Sequence, residues 1–452
     1  MYNKLKGGDN VKKSFWAFSI IYILLFVLIT NSFLMLRSNL WLLFLLVPAF
    51  LLINSFAGFF ALKTKKKRLK ALFHGAVLLL VFEISAAISV IFHVILAFQS
   101  LPDSWQTLLW SALISVLTHA VLFWNGIICV YCTSVQLGIK HRVVGAVCGM
   151  IPVANLVVLN VIINVVFKEA LFEAEKDRLN LSRKDDEVCK TKYPILFVHG
   201  VFFRDSKFFN YWGRIPKELE SNGAKVYYGN HQSAASIAES ADELTERIKR
   251  ITSKTGCEKV NIIAHSKGGL DCRYAISKLD AAPFVASLTT VNTPHRGCLF
   301  ADYLLTKIPE KVKNKVASVY NSTLEKFGDI SPDFLAAVND LTASSCEKLD
   351  CEMPAPDGIY CQSIGSVINK ASGGKFPLNF SYHLVRYFDG ANDGLVSESS
   401  FKWSDNYTLI TPSKKRGVSH GDMIDLNREN IDGFDVREFY VNLVADLKNR
   451  GL

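Results

Sequence analysis

No internal repeat and no low-complexity tract runs through this chain of 452 residues, which excludes solenoids and repeat arrays. Its cysteines make no framework. Seven of the ten lie between Cys189 and Cys361, an odd number without the dense spacing of a stapled secreted domain, and this favours a reducing compartment. Cys346, Cys351 and Cys361 are not at zinc-ligand spacing. No small-residue cleavage site follows the first apolar run, so that run is not read as a signal peptide. Acidic residues are scarce at the start: residues 1–191 hold 10 Asp and Glu against 19 Lys and Arg, while 192–452 hold 31 against 32. Of the net charge of +10, +9 therefore sits in the first part. That excess flanks apolar segments, so it reports membrane topology rather than a nucleic-acid partner.

The apolar runs are 14–36, 40–62, 71–98, 108–132 and 143–167, each longer than the roughly 20 residues that cross a bilayer core. Four read as spans. The fifth carries Pro152, Asn155, Asn160 and Asn164 and suits a re-entrant segment as well as a span. The basic loops alternate: Lys4, Lys6, Lys12 and Lys13 in the tail, Arg37 alone in the first loop, then Lys63, Lys65, Lys66, Lys67, Arg68 and Lys70 in the second. Residues 99–107 have none, and 133–142 have Lys140 and Arg142. This places the N-terminus in the cytoplasm. If the fifth run crosses, the second domain lies outside; if it does not, that domain is cytoplasmic. Glu83, His74, His93 and His119 sit at membrane depth and are read as interhelical hydrogen-bond partners. No ordered polar path points to transport.

The expected organisation is a membrane region at 1–167, a charged linker at 168–191, whose first half could continue as an amphipathic helix along the membrane, and a second domain at 192–452. In that domain strands are expected at 195–198, 224–228, 259–263, 285–291 and 384–388, with helices at 211–222, 236–255 and 269–279. Such alternation implies a parallel sheet covered on both faces, an α/β fold.

Three pieces fall where acyl transfer needs them. Ala264-His265-Ser266-Lys267-Gly268-Gly269 follows an apolar strand, and small residues flank Ser266 as in a nucleophile elbow. Val198-His199-Gly200-Val201-Phe202 follows the first strand, so the amide of Val201 can join that of Lys267 in an oxyanion hole. Asp389 and Asp393 lie in a loop before Ser419-His420-Gly421-Asp422, which gives the chain order serine, acid, base. Ser266 would be the nucleophile, His420 the base and Asp393 the acid that orients it. His199 and His265 are expected to bond locally, while His231, His295 and His383 are less well placed alternatives to His420.

With Tyr193-Pro-Ile-Leu-Phe-Val-His-Gly200, Tyr211-Trp-Gly-Arg-Ile-Pro216, Thr293-Pro-His-Arg-Gly297 and Asn392-Asp-Gly-Leu-Val396, the second domain resembles the bacterial triacylglycerol lipases of the Pseudomonas and Burkholderia type. The resemblance implies the α/β-hydrolase fold and a triad of Ser266, Asp393 and His420, choosing Asp393 over Asp389. It implies Val201 and Lys267 as oxyanion donors, and a cap over residues 299–379. Ala264 stands where the elbow usually has glycine, and Cys298 where serine is usual. The family's structural calcium is matched only by Asp422, with no partner at 372–379, so no cofactor is expected. The family's disulfide has no pair here. Residues 304–327 have helical periodicity that Pro309 divides, which suits a lid or a core-facing helix equally.

The sequence thus reads as a membrane-anchored serine hydrolase of carboxylic esters, with lipid acyl esters as substrate. Acyl transfer or thioester hydrolysis on the same triad is the alternative. A non-catalytic scaffold on a retired hydrolase fold is a second alternative, disfavoured by the complete triad.

Overall fold

A computed structural model of the chain describes residues 7–100, 105–149, 151, 153–201, 210–232, 234–326, 332–411 and 416–452. It divides into two compact units, Met1–Ser182 and Arg183–Leu452.

The first unit is helical: α1 (Gly7–Thr30), α2 (Phe33–Ser38), α3 (Leu43–Phe56), α4 (Lys67–Ser100), α5 (Trp105–Thr133), α6 (Gly138–Cys148) and α7 (Ala154–Ser182). By length and composition, α4, α5 and α7 can cross a membrane, while Ser19–Thr30 and Leu40–Phe56 are shorter apolar helices. The expected fifth run is not one helix. It breaks between α6 and α7, where Val153 has a φ of 67°, a conformation a β-branched residue cannot carry through a helix. Pro152 lies outside the described residues. The first half of the charged segment continues α7 as far as Ser182. The histidines at depth bond between helices: His119 to Ser85 at 3.1 Å, His93 to Ser111 at 3.0 Å and His74 to the Asn54 carbonyl at 3.1 Å, and Glu83 lies beside Asn160.

The second unit alternates strands and helices: β1 (Ile195–Val198), α8 (Ile215–Ser221), β2 (Val226–Tyr228), α9 (Ile237–Thr255), β3 (Val260–His265), α10 (Lys267–Lys278) and β4 (Val285–Val291). Four helices come next, α11 (Leu299–Lys307), α12 (Glu310–Lys326), α13 (Phe334–Asn339) and α14 (Ala343–Glu352). The unit ends with β5 (Tyr360–Ser366), α15 (Leu378–Asp389), α16 (Glu398–Phe401), β6 (Tyr407–Ile410) and α17 (Val436–Asn449). The sheet order is β2-β1-β3-β4-β5-β6, every pair parallel. Its two faces each carry a core. Trp212, Leu219, Tyr440 and Val444 pack on one side, and Leu244, Ile248, Ala275 and Ile276 on the other. Burial on both faces explains why β1 reads as a continuous apolar run, and why every residue of β3 and β4 is buried although Asn261, Ser287, Thr289 and Thr290 interrupt their apolar sequence.

Two expectations need correction. The strand expected at 384–388 is the end of helix α15. Its buried Tyr382 and Val385 are three residues apart, a helical spacing hidden by the β-prone string around Phe388. The cap expected over 299–379 is interrupted, because β5 returns to the sheet beside β4; the cap helices end at Glu352.

Register brings the site together. Val198 of β1 lies opposite Ala264 of β3, and His265 opposite Val291 of β4. Gly200, Ser266 and Asn292 therefore leave neighbouring carboxyl ends of the sheet.

Candidate active site

Ser266 sits at the turn from β3 into α10 with φ 55° and ψ −134°. A side chain in that region costs on the order of 1–2 kcal/mol. The Ser266 N–H bonds the Val291 carbonyl at 3.0 Å, and the Gly269 N–H bonds the Ser266 carbonyl at 3.1 Å. Glycine at 268 is a packing requirement, since a Cβ there would stand 2.4 Å from the His199 carbonyl oxygen. At Gly200 a Cβ would stand 2.7 Å from the Cβ of Ser266. The loop after β1 thus lies directly against the serine, with Val201 beside it on the cavity wall. Phe202 lies outside the described residues.

His420 places Nδ1 2.6 Å from Oδ2 of Asp393, and its backbone N–H bonds the Asp393 carbonyl at 2.9 Å. Asp393 is wholly buried. Its Oδ1 accepts the N–H groups of Leu395 and Val396, both at 2.8 Å, so a carboxylate out of water has its lone pairs satisfied. Asp389 goes elsewhere: it accepts the Leu299 N–H at 3.3 Å, and burial raises its carboxyl above the ordinary range. Of the alternative bases, His231 stacks on His199 with ring centres 4.0 Å apart. His295 lies between Arg273 and Thr290, and His383 is exposed.

Ser266 and His420 open onto a cavity of about 500 Å³. Leu305, Ile308, Phe334, Leu335 and Val338 line it from the cap, with Phe376 and Leu378 opposite. Pro309 separates α11 from α12, as expected, and α11 and α13 supply apolar wall. A preformed apolar slot ending at a serine and a carboxylate-paired histidine is fitted to hold an acyl chain and cleave its ester.

Three contributors were not read from the sequence. Asn292, at the end of β4, donates to Oδ2 of Asp393 at 2.5 Å and to Ser366 at 2.8 Å. The Tyr211 hydroxyl accepts the Gly200 N–H at 3.1 Å and lies 2.7 Å from Nδ1 of His265. Burial holds that imidazole neutral, its pKa well below the usual value. Asn292 stands next to one quoted motif and Tyr211 opens another, but contacts across 101 and 54 positions have no local signal. The third is the side chain of Lys267, which bonds Asp271 at 2.7 Å and Ser240 at 3.0 Å. Asp271 is pushed up to about 6 by burial, against the pull of Lys267.

Asp422 does not fit a calcium site. Its Oδ2 accepts the Ser419 N–H at 2.9 Å, and its Oδ1 faces the Arg416 guanidinium at 3.2 Å. Arg416 also reaches Glu429 at 3.3 Å and the Gly373 carbonyl at 3.0 Å. A cation of the protein's own thus occupies the position between these acids.

The palmitoyl protein thioesterase family matches residues 194–330. A triacylglycerol lipase of Pseudarthrobacter phenanthrenivorans is 34% identical over 183 residues, 38% of this chain and 56% of that protein. One of Burkholderia plantarii is 34% identical over 183 residues, 38% of this chain and 50% of that protein. The chain spans about half the length of these relatives. The crystal structure of Staphylococcus hyicus lipase, 20% identical, covers 58% of this chain and 97% of that chain with a TM-score of 0.45. The six-stranded parallel sheet and the two triacylglycerol lipase sequences make the second unit similar to the bacterial lipase-like α/β-hydrolases.

Proposed function

We propose that this chain is a membrane-anchored serine hydrolase that cleaves acyl esters of lipids through an acyl-Ser266 intermediate. The observation that carries the reading is the pairing of His420 with buried Asp393 at 2.6 Å, beside a serine in elbow geometry on an apolar cavity. In this account His420 Nε2 takes the hydroxyl proton as Ser266 Oγ attacks the ester carbonyl. Asp393 stabilises the imidazolium formed. The oxyanion of the tetrahedral intermediate is held by the amides of Val201 and Lys267, each worth about 3–4 kcal/mol of transition-state stabilisation. As the intermediate collapses, the C–O bond breaks and His420 returns the proton to the leaving alcohol. Water then repeats the sequence on the acyl-enzyme and releases the acid.

The relatives' names point to triacylglycerol, and the apolar cavity agrees with an acyl chain. The helices able to cross a membrane support an anchor that meets its substrate at the bilayer. One observation favours a thioester instead: the family match spans both the oxyanion loop and the elbow.

The test is turnover by the detergent-solubilised full chain on oxyesters and thioesters of matched acyl length. Hydrolysis of long-chain oxyesters that is lost in Ser266→Ala supports the proposal. Preference for thioesters moves the reading to thioesterase, and no turnover of either by folded protein refutes it.

A further inference from the structure

We propose that α6 and the apolar part of α7 form a hairpin that dips into one leaflet and returns to the face it entered, the cytoplasmic one. The hydrolase unit then works on that side. The proposal rests on the membrane reading above and not on the triad.

The first observation is where Glu169 lies. It ends the uncharged stretch of α7, after Lys168, and is 2% exposed. Its carboxylate accepts Ser134 Oγ at 2.6 Å and the N–H groups of Val135 and Gln136 at 3.1 and 3.0 Å. Those residues form the turn between α5 and α6. The end of the apolar stretch is therefore pinned to the place where the chain enters α6. Arg68, at the start of α4, bonds the same carboxylate at 2.8 Å and the Thr133 carbonyl at 2.6 Å. Further along α7, Asp177 pairs with Lys66 at 3.1 Å and Thr64 at 2.7 Å. Loop 63–70, loop 133–137 and residues 169–177 thus share one end of the helical unit. Had α7 carried the chain across, Glu169 would stand at the opposite end from Ser134.

The second observation is length. α7 as a whole is long enough to cross, but its uncharged residues 154–167 make about 21 Å of helix and the 11 residues of α6 about 16 Å, at 1.5 Å per residue. Both fall short of the roughly 30 Å hydrocarbon core. Asn160 lies beside Glu83 while Glu169 bonds Arg68, so this stretch runs along α4, antiparallel to it. The hairpin nonetheless leaves Ile139, Val143, Val147, Val153 and Val157 more than half exposed. Lipid tails are the occupant such a surface fits, because bare aliphatic groups flank an entry that carries Lys140, His141 and Arg142.

The third is charge. The shared end holds Lys63, Lys65, Lys66, Lys67, Arg68 and Lys70, whereas loop 99–107 has no Lys or Arg; the positive-inside rule makes the shared end cytoplasmic. Connectivity alone then assigns the second unit to that side, since Arg183 comes directly after Ser182. Its seven cysteines, all free thiols, suit a reducing compartment.

The experiment uses the full chain carrying a protease-sensitive tag at its N-terminus or, separately, its C-terminus, in sealed vesicles of known orientation. The expected result is that both tags survive protease in right-side-out vesicles and are lost in inside-out ones. Loss of the C-terminal tag from right-side-out vesicles overturns the hairpin, and loss of the N-terminal tag there overturns the cytoplasmic assignment. Release of the protein by alkaline carbonate would instead sink the membrane reading beneath both. None of these outcomes depends on whether the enzyme turns over.

Discussion

Asn292 gives its side-chain N–H to the same oxygen of Asp393 that faces His420, at 2.5 Å. One carboxylate oxygen is thus shared by the histidine and by the end of β4. Removing the amide lets the carboxylate rotate and leaves a lone pair unmet. Asn292→Ala is expected to lower kcat about 10- to 50-fold, or roughly 1.4–2.3 kcal/mol, with little change in KM. Steady-state kinetics on a short-chain ester check this; an unchanged kcat would remove Asn292 from the machinery.

Tyr211 holds the loop that carries the proposed oxyanion donor. Without its hydroxyl, the Gly200 N–H loses its partner and Nδ1 of His265 a close neighbour. Tyr211→Phe is expected to cost about tenfold in kcat, or roughly 1.4 kcal/mol, and to leave binding of the acyl chain intact. A rise in KM with kcat unchanged would assign Tyr211 to substrate binding instead.

The buried pair of Lys267 and Asp271 makes stability depend on pH. In the unfolded chain Asp271 ionises near its ordinary value of 3.8, and in the folded chain near 6. The folded state therefore holds a proton that the unfolded state has lost. This contribution to stability is greatest below about pH 4, falls as pH rises to about 6, and is level beyond. Asp271→Asn should remove that slope. At pH 7 it should hold or raise stability, because the neutral amide avoids the desolvation cost that raises the Asp271 carboxyl. Replacing both residues by apolar ones should remove the slope as well. Thermal unfolding at pH 4.5 and pH 7 measures all three variants, and identical pH slopes in Asp271→Asn and wild type would contradict the assignment.

Arg416 ties the segment bearing His420 to Glu429 and Gly373 through an ion pair with Asp422. Chelation of divalent metal is accordingly expected to leave Tm and turnover unchanged. Arg416→Ala should lower Tm and, with Oδ1 of Asp422 left without its guanidinium, bring kcat down severalfold. Loss of activity on adding chelator, restored by calcium, would show that a metal does this work.

The sequence carried the parts of this account that depend on local pattern. Short, mainly apolar strands, the small residues about Ser266 and the order of Ser266, Asp393 and His420 all stem from short-range rules of backbone and burial. It misled where two periodicities compete within one short string, as at Tyr382 to Phe388, which folds as the end of α15. It left two alternatives open where an apolar run holds a backbone break, as at Val153. What it could not carry was contact between distant positions. Nothing near Asn292 announces Asp393, and nothing near Glu169 announces Ser134, because those bonds exist only once the sheet register and the helix packing are set.

The central claim is that Ser266 is an activated nucleophile. Its most direct measurement is mass spectrometry of the full-length protein after brief exposure to a fluorophosphonate, with the adduct mapped to a peptide. The account predicts one stoichiometric adduct on Ser266, greatly slowed in His420→Ala and in Asp393→Asn. An unmodified Ser266 in folded protein, or a label on another residue that persists in Ser266→Ala, would contradict it.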